Sequence, residues 1–357
     1  MKEKAIIYCE AQFGSMDGKV TNGLVRHSEK YEILGVLDST KAGKDAGEYL
    51  DGVKNGIPFF KDIDDAIEKV KEKLKYFIYG IAPLEAFLNA EERGVVMYAM
   101  EKGMHIVNGL HEFFSEDEEF VAKAKECGVK TFDIRKPPAK KDLHLFSGRI
   151  LKVDTPIIAV LGTDSAVGKR TTSVLLVEAM RNAGLNVAFV ATGQTGLIQG
   201  AKYGVAVDAI VEQFMTGEIE EAVMQAHDAE KPDLIVVEGQ GALSHPAYIS
   251  STAIIRGARP KAIIVQHPPK RKVLGDFPYM PMPTLESEIH LIETFSRSRV
   301  VAITLNDTDM TDKGVEDTVK EYEDKYNLPT TDVLKNGCDK LVTRLFEVFP
   351  ELSEKKK

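Results

Sequence analysis

The residues best suited to holding a charged ligand are Gly162, Thr163, Asp164, Ser165, Ala166, Val167, Gly168, Lys169, Arg170, Thr171 and Thr172, which are consecutive. They follow the apolar run 157–161 and lead into a helix-like run at 171–182. Strand, glycine-bounded loop ending in Gly-Lys, then helix is the order a phosphate-binding loop requires. The helix start offers unpaired N–H groups and a positive dipole end, and the loop backbone can wrap a diphosphate. Two positions depart from the usual loop. Thr163 stands where the first glycine is expected, with Gly162 one residue earlier, and Arg170 stands where a Ser or Thr hydroxyl normally meets Mg²⁺. Thr171 comes one residue too late for that role, about 100° further round a helix. The pattern predicts a held diphosphate and leaves Mg²⁺-dependent phosphoryl transfer in doubt.

Ligands of open parallel sheets sit beyond the carboxyl ends of the strands, so the residues just after each apolar run matter most. After 187–191 come Thr192, Gly193 and Gln194; after 234–237 come Glu238, Gly239, Gln240 and Gly241, with His245 nearby. His267, Lys270, Arg271 and Lys272 follow 262–266, and Asn306 follows 300–305. Glu238 is placed as a group that meets a metal, a water or a proton, and Gly239 as a position where backbone can approach a ligand. His245 and His267 could be general bases or hydrogen-bond donors near neutral pH, or structural loop histidines. Lys270, Arg271 and Lys272 could hold an anion or form a solvated charged face. The loop 279–283, with two prolines, suits packing or a lid.

These loops need a scaffold. Strand and helix signals alternate along the whole chain, which predicts α/β structure: two doubly wound parallel-sheet domains. In residues 1–138, strands are expected at 5–9, 33–37, 77–81, 105–107 and 131–134, with helices near 18–27, 63–74, 90–102 and 116–127. The glycines Gly14, Gly18 and Gly23 do not make a dinucleotide fingerprint, so Asp38 after the second strand is weak support for ribose binding. The run 135–141, with two prolines and four basic residues, reads as a solvated junction. Residues 139–357 form the second domain, and its charged tail 351–357 is expected to fray.

With 357 residues, 43% of them apolar and 28% charged, the chain can bury two cores. A net charge of −9 argues against a nucleic-acid partner. Cys9, Cys127 and Cys338 show no disulfide or zinc spacing, no segment is long and apolar enough for a membrane span, and no signal peptide is seen. A cytoplasmic homo-oligomeric enzyme with a small-molecule substrate is expected.

Locally, the loop 162–169 together with Glu238-Gly239-Gln240-Gly241 resembles the dethiobiotin synthetase type of phosphate-loop domain. Over nearly the whole chain the sequence resembles the DUF1611 family, a Rossmann-like domain followed by a phosphate-loop domain. The matching features are Lys169-Arg170-Thr171-Thr172, the run Gly-Gln-Gly-Ala-Leu-Ser-His-Pro at 239–246, and His267-Pro268-Pro269. This resemblance implies an N-acetyltransferase that uses acetyl-CoA, with D-glutamate as acceptor. It makes Glu238 the first candidate for the base that takes the ammonium proton, and His245 the second. It leaves Arg271, Lys272 and Arg256 as alternatives for binding substrate carboxylates. The competing enzyme class is an ATP- and Mg²⁺-dependent ligase or kinase. A non-catalytic nucleotide or coenzyme sensor ranks third and an NAD-dependent dehydrogenase last.

Overall fold

Two all-parallel sheets carry the apolar runs in a computed structural model that describes residues 2–83 and 87–355. The chain divides into two units: Met1–Pro138 with Gln194–Ala201, and Ala139–Gly193 with Lys202–Lys357.

The first unit contains β1 (Glu3–Tyr8), α1 (Lys19–Arg26), β2 (Tyr31–Leu37), α2 (Ala46–Asp51), β3 (Phe59–Phe60), α3 (Ile63–Lys69), β4 (Tyr76–Tyr79), α4 (Ala90–Glu101), β5 (His105–Asn108), α5 (Glu118–Cys127) and β6 (Thr131–Asp133). Its strand order is β3-β2-β1-β4-β5-β6, the doubly wound order in which the chain reverses direction beside β1. The core is aromatic: Tyr8 stacks with Phe77 and Tyr79, and Phe114 with Phe120. Helix α3 stops at Lys69, short of the expected 63–74, because Val70 turns to an extended backbone; Leu74 is still buried, but from a loop. Arg135 corrects the solvated reading of the junction, since it is buried and donates to the Gly109 carbonyl. Residues 138–142, apart from that, are exposed.

The second unit begins with β7 (Ile157–Gly162), α6 (Lys169–Asn182) and β8 (Val187–Ala191). Helix α7 (Gln194–Gln199) then leaves it to pack in the first unit. There Ile198 joins Ala5, Ile7, Val20 and Leu24, and Gln199 Nε2 donates to the carbonyls of Gly23 and His27. A single boundary after residue 138 overlooks this excursion.

The second unit continues with β9 (Tyr203–Gly204), α8 (Glu212–Glu230), β10 (Leu234–Glu238), α9 (Ser250–Ala258), β11 (Ala262–His267), α10 (Leu285–Ser296), β12 (Arg299–Leu305), α11 (Asp312–Tyr326), β13 (Thr330–Thr331), α12 (Val333–Asn336) and α13 (Asp339–Val348). The sheet order is β13-β12-β11-β7-β10-β8-β9, which puts β7 between β11 and β10. All three are buried along their whole length, as expected of strands covered on both faces. The two-residue strands β3, β9 and β13 are too short to show a period in sequence. The tail is less frayed than expected, because Pro350–Lys355 forms a short 3-10 helix that buries Leu352 completely. Residues 356 and 357 lie outside the described residues.

Candidate active site at the carboxyl end of the second sheet

Helix α6 starts at Lys169, two residues before the sequence suggests, and it is capped by Gly168 in a left-handed conformation (φ 107°) without any side-chain cap. Its first amides therefore have no helical acceptor and are free to receive an anionic group. Ala166 also takes a positive φ, 49°, so the loop closes as a backbone nest. The stem of Lys169 runs across Gly162, where an added Cβ would lie 3.1 Å from its Cδ and 2.8 Å from the Gln266 carbonyl. The Lys169 ammonium donates to the Asp164 carbonyl at 2.5 Å.

The neighbouring strands hold the loop in shape. Thr163 Oγ1 is 2.9 Å from His267 Nδ1, and both residues are buried. Burial, with the Lys272 charge adding to it, pushes the His267 imidazole down to about 4, so the ring is neutral at pH 7 and shapes the loop. Thr172 directs its hydroxyl to Gln266 Oε1 at 2.5 Å, underneath the loop. Arg271 donates to Asp164 Oδ2 and to the Ser165 carbonyl, each at 3.0 Å. Asp164 is fully buried and also receives the amides of Ser165 and Gly275.

Glu238 ends β10 beside this loop. Its Oε2 accepts the Thr192 amide at 3.1 Å. Burial raises its carboxyl from 4.5 to about 7, and the Arg170 charge, the Thr192 amide and the Lys169 charge limit the rise. A carboxyl poised there exchanges protons near neutral pH. Gly239 is obligatory on packing grounds, because a Cβ would lie 2.2 Å from the Val160 carbonyl oxygen on the adjacent β7.

His245 is buried and stacks on Tyr248 at 4.3 Å between ring centres. Its Nδ1 accepts the Ala247 amide at 3.2 Å, which leaves the proton of the neutral ring on Nε2. That Nε2 has no hydrogen-bond partner among the described residues; the nearest carboxylate oxygen, Asp164 Oδ1, is 3.7 Å away. Burial holds this imidazole below its usual value, against the pull of Asp164 and Asp276. The site thus offers an uncapped helix start, a carboxyl near neutrality and one buried donor with nothing to bond among the described residues.

Comparisons with known proteins agree with this architecture. The DUF1611 P-loop domain model matches residues 144–342, and the DUF1611_N Rossmann-like domain model matches 39–137. The chain belongs to the DUF1611 family. A crystal structure of a DUF1611 family protein from Anabaena variabilis superposes with a TM-score of 0.88 and 29% identity, covering 97% of this chain and 100% of that one. Two curated relatives carry the name D-glutamate N-acetyltransferase. The one from Pseudoalteromonas is 30% identical over 285 residues, 78% of this chain and 83% of its own. The one from Tritonibacter scottomollicae is 30% identical over 280 residues, 77% and 82% respectively.

In this DUF1611 protein the remaining sequence candidates are dispersed. Gln194 belongs to the excursion and packs near Gly109 in the first unit. Arg256 lies exposed on α9, stacked over the Phe295 ring at 5.1 Å. Lys272 is exposed and acts on His267. Two residues that organise the site escaped the sequence reading. Glu288 on α10 is fully buried and receives the Leu243 amide and the Ser244 hydroxyl, each at 2.5 Å, which fixes the segment leading into His245. Burial raises its carboxyl. Asp276 accepts the hydroxyls of Ser165 (2.8 Å) and Tyr248 (2.9 Å), joining the phosphate loop to the ring under His245. A signal for Glu288 does exist: it falls on the same helical stripe as the buried Leu285 and Ile292.

Proposed function

We propose that this DUF1611 protein is an N-acyltransferase that moves an acetyl group from acetyl-CoA to the amino group of an acidic amino acid, with D-glutamate the leading acceptor. One observation carries the reading: a buried carboxyl near neutrality, Glu238, stands beside an uncapped, basic phosphate loop. The names of the two relatives support the choice of acceptor.

The α6 amides and Lys169 suit the diphosphate of the donor, whose thioester supplies the activated acetyl group. Arg170 keeps the phosphate end of the site basic. An attacking amine must be neutral, so a base has to take the ammonium proton. Glu238 is the group we assign to that role, since a carboxyl raised toward pH 7 both takes and releases a proton there. His245 Nε2–H is a preorganised donor for an oxygen that gains negative charge. Arg271 acts by holding Asp164 and the loop, which leaves exposed Lys272 as the better candidate of the two for a substrate carboxylate.

The test is thiol release from acetyl-CoA across D- and L-amino acids. Amine-dependent release, greatest with D-glutamate, is expected. Absence of release with every acceptor, together with Mg²⁺-dependent ATP turnover, would replace this reading with that of a ligase or kinase.

A further inference from the structure

A cavity of about 480 Å³ opens in the first unit at the carboxyl ends of β1 and β2. In a sheet of this strand order that is the crevice where ligands bind. Its chemistry is the reverse of what a nucleotide needs. Glu10, Asp62, Asp64 and Glu91 line it against one cation, Lys61. Glu10 follows β1 almost directly and receives the amide and hydroxyl of Ser39 at 2.8 and 2.5 Å. The loop after β1 is thus tied to the loop after β2 by a carboxylate. Asp38, which the sequence offered only weakly for ribose binding, is fully buried and paired with Lys41 at 2.7 Å.

One observation independent of the carboxylates points to a ligand. Tyr8 lines the cavity and is only 7% exposed as a residue, while its hydroxyl, which is not itself enclosed, has no hydrogen-bond partner among the described residues. Its neighbour Tyr79 does have one, Glu92 Oε1 at 2.8 Å. The Tyr8 hydroxyl lies in the field of Glu92, Glu10 and Glu91. Gly94 also lines the cavity. It sits inside α4, where glycine costs about 1 kcal/mol against alanine, and a Cβ there would meet nothing within 4 Å. Gly94 is exposed, so packing does not demand glycine at this position, and a longer side chain there would enter the cavity.

Of the acids, Asp64 is engaged by the Tyr98 hydroxyl and Lys102, and Asp62 caps α3. Glu91 has no ion-pair partner among the described residues. We infer that this crevice binds a small organic ammonium cation on an apolar stem, with Glu91 facing the charge and the Tyr8 and Tyr98 rings the stem. Aromatic rings and carboxylates together favour such a cation. The inference is independent of the proposed acetyl transfer.

The experiment is calorimetric titration of the full-length protein with hexylammonium, with hexanoate and AMP as probes of opposite charge. Hexylammonium is expected to bind saturably in the millimolar range. Gly94→Leu, which fills the cavity from a helix position and favours folding, should abolish that binding. Glu91→Gln should weaken it about tenfold. Circular dichroism melts of both variants establish that they fold. No saturation by about 20 mM, binding unchanged in folded Gly94→Leu, or preferential binding of AMP would each overturn the inference.

Discussion

β1 and β7 open two sheets of the same kind, yet the loops after them are opposite in shape and charge. After β7 the chain passes through a left-handed Gly168 straight into a helix of fourteen residues whose first turn carries Lys169 and Arg170. After β1 it folds through a series of turns, places Glu10 at the strand end, and starts α1 from Gly18 with an ordinary φ of −78°. The acids after neighbouring strands differ as well. Glu238 is buried beside cations but keeps a carboxyl that titrates near neutrality, while Asp38 is closed off by its own Lys41. Parallel α/β topology supplies a crevice; the chemistry of the first loop sets the charge that the crevice presents.

The comparison breaks most readily at the lysines. Lys169→Met should lower kcat/KM about 1000-fold, at the upper end of what one electrostatic contact contributes, and should remove binding of ADP used as a diphosphate probe. Lys61→Met in the first unit should leave both unchanged. Equal losses from the two, measured by steady-state kinetics and calorimetry, would mean that the two loops are not distinct in function.

The acids sharpen it next. Asp38→Asn breaks a buried ion pair and should destabilise the first unit by about 3 kcal/mol in urea unfolding, with turnover in the surviving folded protein unaltered. Glu238→Gln should do the opposite, slowing turnover about 100-fold with the fold retained. Glu238 must lose its proton to act as a base, so kcat/KM of the parent protein should rise with pH through about 7. That limb should be missing in the variant. The stability sign is also fixed. The folded carboxyl holds its proton more tightly than the unfolded one, so the parent loses stability as pH rises from about 4.5 to about 7, and Glu238→Gln should not.

The glycines give the smallest effects. Gly94→Ala should stabilise by about 1 kcal/mol, since its Cβ enters open space. Gly168→Ala should destabilise by about the same amount, because φ there is 107°. Thermal melts of the two variants should move in opposite directions.

Much of this was legible without a fold. The apolar runs that became β7, β10 and β11 are continuous because both faces of those strands are covered, so run length alone located the second sheet and, with it, the loops at the carboxyl ends of its strands. Glu238 and the Gly-Lys loop follow directly. Glu288 was hidden because a lone acid in a helix looks like surface. Its neighbours Leu285 and Ile292 show that it faces inward.

What the sequence determined by itself was the alternation of strands and helices, the phosphate loop and the position of the carboxyl after β10, all properties of contiguous residues. Tertiary structure decided which polar groups remain for chemistry. Thr163 meets His267 from 104 positions away, Arg271 reaches Asp164 across 107, and Thr172 reaches Gln266 across 94. Those meetings depend on β7 lying between β10 and β11, a strand order that no local pattern encodes. The same order buries Glu238 and raises its carboxyl, because desolvation depends on what surrounds a group and not on its neighbours in the chain.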